Sequence, residues 1–424
     1  LILTLAFHNA SAQSNPGDNP ALDGAFQALV KLELGQDLGT FNPIRQAVVA
    51  SRTDEKVRVD LENRLVAVLQ GDGTDLAKDY ACRQLVIVGS DASLPVLAAL
   101  LPNPRMSYMA RYALEGIASP ATKTTLREML GKTEGRQKVG MVISLGRLAD
   151  AEAVPTVAAL LETEDEELRQ VCLVALGRIG TVPAADALQA FAGKAPEALR
   201  DVVVDAQLDA ADSLCQQANH QAAAKICESL LSAESERVRA AAFRGLITAK
   251  PPEALAMIIT GLGSDETWKR AVAADCVVGL DNPDEIQKIA SAIADLPAAG
   301  KIAAFVSLTP RCDPVIRNAA LKSLDGPDAE VCTAALTALI RSGTPEDVPT
   351  LAALVTSAKH EPVRNAAFET LRLMPADGID QALAAWMDQA KDLPPVAVKC
   401  ALSRRSPEFV SAFLKAAESS NGAT

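Results

Sequence analysis

The sequence predicts an all-α fold, an α-α superhelix of about eleven helical hairpins. Three observations predict it. First, 49% of the residues are hydrophobic but only 3% are aromatic, so alanine and leucine carry the apolar content, which favours close-packed helices over strands. Second, from Leu145 to Leu176 the pattern returns after 31 residues, in SLGRLA and then ALGRIG, and the same step reaches most of the chain. Third, a mostly small or slim residue stands four positions before each such landmark, where it lets neighbouring helices approach closely.

The elements follow in order. Residues 1–19, LILTLAFHNASAQSNPGDN, read as the remnant of a secretory signal peptide and a linker. Leu1 to Phe7 is apolar, Ala10-Ser11-Ala12 fits a cleavage site, and the polar continuation suits a mature N-terminus. The expected location is therefore outside the cytoplasm, periplasmic or extracellular. Beyond this stretch no apolar run nears the roughly 20 residues that a membrane-spanning helix needs. Residues 20–73 (ALDGAFQALVKLEL, IRQAVVA, EKVRVDLENRLVAVL) read as helices that cap the array.

The array is expected over 74–424. Its landmarks are Leu85, Leu114, Leu145, Leu176, Gln207, Leu246, Val277, Leu308, Leu339, Leu371 and Leu402, eleven in all. Four positions earlier stand, among others, Ala81, Ala110, Cys172, Ala242, Ala273, Ala335 and Val398. Each unit splits into a first helix, often opened by Asp or Pro as in DAEAVPTVAALL and TPEDVPTLAALV, a polar turn, and a second helix that ends near the landmark, as in LRQVCLVALGRIG. A lone hairpin cannot bury its apolar faces, whereas a stack can. The step from 207 to 246 is longer, and the extra residues near 208–218 should lengthen one hairpin and shape a face or vary its length without effect.

A basic residue stands seven positions before the landmark in eight units: Lys78, Lys138, Arg169, Arg200, Arg239, Arg270, Lys301 and Arg364, with Ser107, Cys332 and Pro395 as exceptions. The Leu-Gly-Arg triplet itself admits a phosphate-binding turn or a repeat mark. Its return at the repeat period, with no preceding strand, favours the mark. Gly177 and Gly180 are then expected near the end of their helix, where glycine relaxes and terminates it.

The stretch DAEAVPTVAALLETEDEELRQVCLVALGRIG resembles a HEAT repeat of the short bacterial kind found in phycobilin-lyase-type subunits. CRQLVIVGSDASLPVLAALL, MARYAL and VGMVISLGRLADAEAVPTVAALL are similar to large exported bacterial HEAT-repeat proteins, whose arrays are often joined to a haem or sugar-acting domain. No CxxCH motif is present. The resemblance implies that the basic ladder bonds acidic or backbone groups of the adjacent turn and links units, and that second helices line the inner surface.

Residues six and two before each landmark share one side of the second helix. In the first units they are Asp79 with Arg83 and Tyr108 with Tyr112, which makes these four the candidate protein-binding site. The same positions hold Val139/Ile143 and Ile302/Val306, so part of this face is expected to be packed. A net charge of −12 opposes duplex DNA, and the shortage of aromatic residues opposes stacking on single strands. No nucleic-acid partner is expected.

Catalytic and cofactor signals are poor. The histidines are His8, His220 and His360, none at metal-ligand spacing. Gly131-Lys132-Thr133 lacks the first glycine and the strand of a phosphate loop. Most of the eight cysteines read as small core residues. Cys215 and Cys227 form the best disulfide candidate, yet are expected to stay unpaired. The function expected is a non-catalytic protein-binding scaffold. The alternative is an accessory part of a larger enzyme, lyase-like, sugar-acting or redox.

Overall fold

The computed structural model describes residues 19–311, 313–375, 378–389 and 395–421. The signal-peptide reading falls outside these residues, as does Cys312. Every regular element among the described residues is helical.

The chain divides into two compact units, residues 1–226 and 227–424. The first opens with α1 (Pro20–Leu29) and α2 (Asn42–Ala50). Hairpins follow as first and second helices: α3 (Glu55–Gln70) with α4 (Asp75–Val88), α5 (Leu94–Leu100) with α6 (Ser107–Ile117), and α7 (Pro120–Leu130) with α8 (Gly135–Arg147). Then come α9 (Val154–Ala159) with α10 (Glu166–Ile179), and α11 (Val182–Ala192) with α12 (Arg200–Gln216). The division falls inside α13 (His220–Leu230).

The second unit continues with α14 (Glu236–Ala249) and then α15 (Ala254–Leu262) with α16 (Thr267–Val278), and α17 (Pro283–Ala292) with α18 (Ala298–Leu308). It ends with α19 (Pro314–Ser323) and α20 (Ala329–Ser342), α21 (Val348–Ser357) and α22 (Glu361–Leu373), α23 (Ile379–Gln389) and α24 (Pro395–Arg404), and the last helix, α25 (Val410–Asn421). Within each unit second helices pack on second helices: α4, α6, α8, α10 and α12 in turn, and α14 through α24 by even numbers. Eleven second helices, α4 to α24, carry the eleven landmark positions.

Local chemistry sets the helix ends. Asp165 caps α10 by accepting from the Leu168 N–H at 3.0 Å. Gly180 closes it in the left-handed conformation, φ +56°, its N–H returning to the Leu176 carbonyl. Proline opens α7, α11, α17 and α19 within the first two positions, where its missing donor costs nothing.

The landmarks form the spine of two apolar cores. Leu85, Leu114, Leu145 and Leu176 lie in one, Val277, Leu308, Leu339 and Leu371 in the other, all essentially buried. The small residues one turn earlier, Ala81, Ala110, Cys172, Ala273, Ala304 and Ala335, have no exposed surface. Gln207, the polar landmark, is buried and satisfied: its Nε2 donates to the Gln189 side-chain oxygen at 2.9 Å. The last landmark is a correction. Leu402 is 62% exposed, whereas Ala401 is buried. Ala397 takes the position expected of Val398, so the final step is one residue shorter, and α24 turns its face by about 100°.

Gly177 and Gly180 fall near the end of α10, as expected; Gly180 ends it, and Gly177 lies two residues before its last residue. A Cβ there would meet the Ala206 carbonyl oxygen at 2.7 Å and its Cα at 3.0 Å. Gly146 faces Ala175 in the same way, at 2.9 Å. In the Leu-Gly-Arg triplet, glycine brings consecutive second helices together.

The extra residues near 208–218 extend α12 over the end of α10. Ser213 and Gln217 donate to the carbonyls of Gly177 and Gly180, at 3.5 and 3.1 Å. Cys215 and Cys227 are not joined by a disulfide.

Candidate functional site

Two sets of arginines hold the hairpins, and they act in different directions. The first is the ladder at the start of the second helices. Arg169, Arg239, Arg270 and Arg364 each donate to the carbonyl six residues earlier: Thr163, Ala233 (2.8 Å), Ser264 (2.7 Å) and Ala358 (2.7 Å). Six residues back is the turn of the same hairpin. The ladder therefore ties a second helix to its own first helix, which corrects the expectation that it links units. Lys78, Lys138, Arg200 and Lys301 make no such bond among the described residues. A lysine ammonium is a point donor on a flexible stem, without the guanidinium's fixed fork. Cys332 sits at the same position, and its thiol faces the carbonyls of Ser323, Leu324 and Gly326 at 3.5–3.6 Å.

The second set follows the landmark and reaches back one unit. Arg311 donates to the carbonyls of Val278 (3.0 Å) and Leu280, Arg341 to Pro310 (3.3 Å), and Arg404 to Leu371 (2.6 Å), Arg372 (3.2 Å) and Met374 (2.9 Å). These carbonyls end the preceding second helix, where the macrodipole is negative and the last acceptors lack partners. Arg147, in the first Leu-Gly-Arg triplet, instead pairs with Glu115 of the preceding unit at 2.8 Å. The sequence reading missed this set.

Buried carboxylates add links between first helices. Glu62 of α3 accepts from the Ser90 N–H (2.7 Å), the Ser90 hydroxyl (2.8 Å) and the Ser93 hydroxyl (2.7 Å) at the start of the next hairpin. Arg127 pairs with Asp150 at 2.6 Å and Arg317 with Asp347 at 2.6 Å, each carboxylate nearly fully buried. These ties give Arg127 and Arg317 a structural role.

The candidate site lies on the solvent face of α4, α6 and α8. Asp79 and Arg83 form an ion pair of 3.1 Å along α4, with Arg83 mostly exposed. Such an i, i+4 pair is worth about 0.3–0.5 kcal/mol. The chain has three tyrosines. Tyr80 is packed on Phe41 with ring centroids 5.5 Å apart. Tyr108 and Tyr112 are 61% and 40% exposed, one turn apart on α6. The Arg83 guanidinium is held above its ordinary pKa, first by its hydrogen bond to Asp79.

Arg111 stiffens this patch from beneath. Its guanidinium lies 5.7 Å from the Tyr108 ring centroid, donates to the Ser144 hydroxyl at 3.2 Å and approaches Glu115 at 3.9 Å. Gly140 makes room for it, since a Cβ there would fall 2.5 Å from the Arg111 Nε. Burial pushes the Arg111 pKa down, Glu115 opposes that, and Arg147 adds to it. The Nε is buried without a hydrogen-bond partner. Arg111, Glu115 and Ser144 stand outside the positions six and two before the landmark, so the sequence reading passed over them. Of the packed positions on this face, Val139 is buried, whereas Val306 in the second unit is 62% exposed.

Among the described residues, no group of three His, Cys, Asp or Glu side chains is placed to hold a metal ion, and no helix is long and apolar enough to cross a membrane.

Comparison with known proteins gives the fold context. The family model for HEAT repeats matches residues 136–207, from α8 into α12. No curated protein matches the chain significantly. Among solved structures the chain is similar to Kap121p at 12% identity and a TM-score of 0.40, covering 90% of this chain and 53% of that one. The chain thus spans about half the length of Kap121p. It is also similar to the complex of CpcE and CpcF of phycocyanin lyase from Nostoc sp. PCC7120, at 18% identity and a TM-score of 0.29 over 51% of this chain and 87% of that one. Human deoxyhypusine hydroxylase matches at 18% identity and a TM-score of 0.27 over 59% and 96%. With the helical hairpins, the 31-residue register and the family match over 136–207, the chain carries HEAT repeats.

Proposed function

We propose that the chain is a non-catalytic scaffold that binds a protein partner, and that the face of α4 and α6 contributes an anchor. The supporting observation is the pair of exposed tyrosines, Tyr108 and Tyr112, beside Arg83 on helices already fixed by the stack. Tyrosine and arginine dominate the energetics of many protein interfaces. Two rings held on a rigid helix lose little further freedom on binding, so more of their contact energy appears as affinity. Asp79 orients Arg83, and Arg111 braces Tyr108.

The test is capture of partners from the source cell on the immobilised chain, followed by titration of a captured protein against wild type and the Tyr108→Ala/Arg83→Ala variant. Both side chains are largely exposed, so circular dichroism should stay unchanged. The expected loss in affinity is about 30-fold or more, the range of an interface anchor worth ~2 kcal/mol. Equal affinity for both proteins defeats the assignment of this face.

Export to the periplasm or exterior goes with this proposal and rests on the Leu1–Phe7 and Ala10-Ser11-Ala12 pattern. Fractionation of cells expressing the whole reading frame tests it. Recovery of the mature protein from the cytoplasm alone rejects it.

A further inference from the structure

The second unit holds a cleft of about 550 Å³ bounded by α17, α18, α19 and α20. That volume falls within the usual 300–1,000 Å³ of small-molecule sites. Its walls are short apolar side chains, Ala290, Ala294, Ala298 and Ala319, which leave a gap where consecutive hairpins meet. The nearby turn also lacks a guanidinium. Cys332 stands at the ladder position of α20, and its thiol covers the turn carbonyls with far less bulk than the arginines of other hairpins.

Two cations border this gap, Lys301 from α18 and Lys322 from α19. Neither has an ion-pair or hydrogen-bond partner among the described residues. In a chain with 53 acidic and 41 basic residues, these two ammonium groups border one cleft without a carboxylate partner. Asp328 also borders the cleft, but its Oδ1 caps α20 by accepting from the Glu330 and Val331 N–H groups at 2.9 and 3.2 Å. Gln287 and Asn318 add uncharged donors and acceptors.

We propose that this cleft binds a small organic anion: a carboxylate or phosphate head held between Lys301 and Lys322, on a short apolar body lying against the alanine wall. Charge-assisted bonds from two ammonium groups hold the head. The alanines leave room for the body, and burying it removes apolar surface from water. The site is independent of the tyrosine face of the first unit, so either assignment can fail without the other.

Phenyl phosphate, inorganic phosphate and phenol separate the contributions, each titrated calorimetrically against the full chain. Phenyl phosphate should bind at least about tenfold more tightly than either fragment, a difference of ~1.4 kcal/mol. Hexanoate should compete with it. Lys301→Met/Lys322→Met should weaken phenyl phosphate binding by about tenfold or more and leave the melting curve in place, because Lys322 is exposed and Lys301 only half-buried. Ala294→Leu, at an exposed wall position, keeps both charges and should also weaken it. The proposal is overturned if phenol binds as well as phenyl phosphate, if the double variant binds like wild type, or if no anion binds up to the millimolar range. Preferential binding of an acidic peptide over phenyl phosphate, lost in the lysine variant, also overturns it in favour of a protein ligand.

Discussion

Replacing Gly177 with alanine tests how closely the second helices approach. In an open helix position this change is favourable by ~1 kcal/mol, since alanine is the better helix former. At Gly177 the new Cβ would lie 2.7 Å from the Ala206 carbonyl oxygen, against an ordinary contact of 3.4 Å or more, a shortfall of 0.7 Å. The second contact, 3.0 Å, is with the Ala206 Cα. Both atoms are backbone inside α12, so no side chain can swing aside, and the two helices must part. Overpacking of this kind costs about 1–3 kcal/mol, and a rigid backbone neighbour places it in the upper half. The net expectation is a loss of about 1–2 kcal/mol after subtracting the helix-propensity gain. Repeat arrays need not unfold in one step, so the suitable measurement is native-state hydrogen exchange of the α10 and α12 amides. Gly24→Ala in α1 is the control: nothing lies within 4 Å of its Cβ position, and the same chemical change should stabilise by about 0.5–1 kcal/mol. Unchanged or greater protection of α10 in Gly177→Ala would refute close approach as the role of this glycine.

Further outcomes follow from burial and pairing. Leu176→Ala should cost about 2–5 kcal/mol because Leu176 has no exposed surface, whereas Leu402→Ala, at 62% exposure, should leave the thermal transition nearly unmoved. Arg404→Met strips three carbonyls of α22 and the adjoining turn, together with Asp380, of their donor; a loss of about 3–5 kcal/mol is expected for a broken buried pair. Adding Asp380→Asn should recover part of it in a double-mutant cycle, and strict additivity would show that the pair is not coupled. Burial pushes the Cys82 and Cys172 thiols up to about 12 from a usual 9.0. Since the folded chain holds these protons longer than the unfolded one, stability should fall as pH rises from about 9 towards 12, with no contribution below that window. A Cys82→Ala/Cys172→Ala variant should show a flatter alkaline limb in chemical denaturation, and an identical slope would contradict the assignment.

The repeat register was legible because each unit buries the same two positions, the landmark and the small residue a turn earlier. Cores built by stacking impose that rule on every unit. It failed at the end, where one residue fewer turned α24 and left Leu402 in water. The ladder residues were legible too, but their direction was not. An arginine at the start of a second helix has carbonyls of its own turn and groups of the next unit within side-chain reach, and spacing alone does not choose between them. The buried carboxylates escaped notice because their partners have no fixed offset: Arg127 and Asp150 are 23 residues apart, Arg317 and Asp347 30. At the tyrosine patch, helical periodicity placed Asp79, Arg83, Tyr108 and Tyr112 on one face. It did not show Arg111, whose space is set by the missing side chain of Gly140 on the neighbouring helix.

The arginines that reach back by one unit give the array a direction. Arg311, Arg341 and Arg404 each serve acceptors that precede them in the chain by 30–33 residues. A hairpin in this series is therefore finished by its successor and not by its predecessor. During synthesis the carbonyl ends of α16, α18 and α22 wait, hydrated, until the next hairpin has left the ribosome, so their consolidation lags translation by one repeat. Cutting the chain just before the hairpin that carries Arg311, Arg341 or Arg404 uncaps the second helix before it, whereas cutting on the other side leaves an arginine that water can solvate.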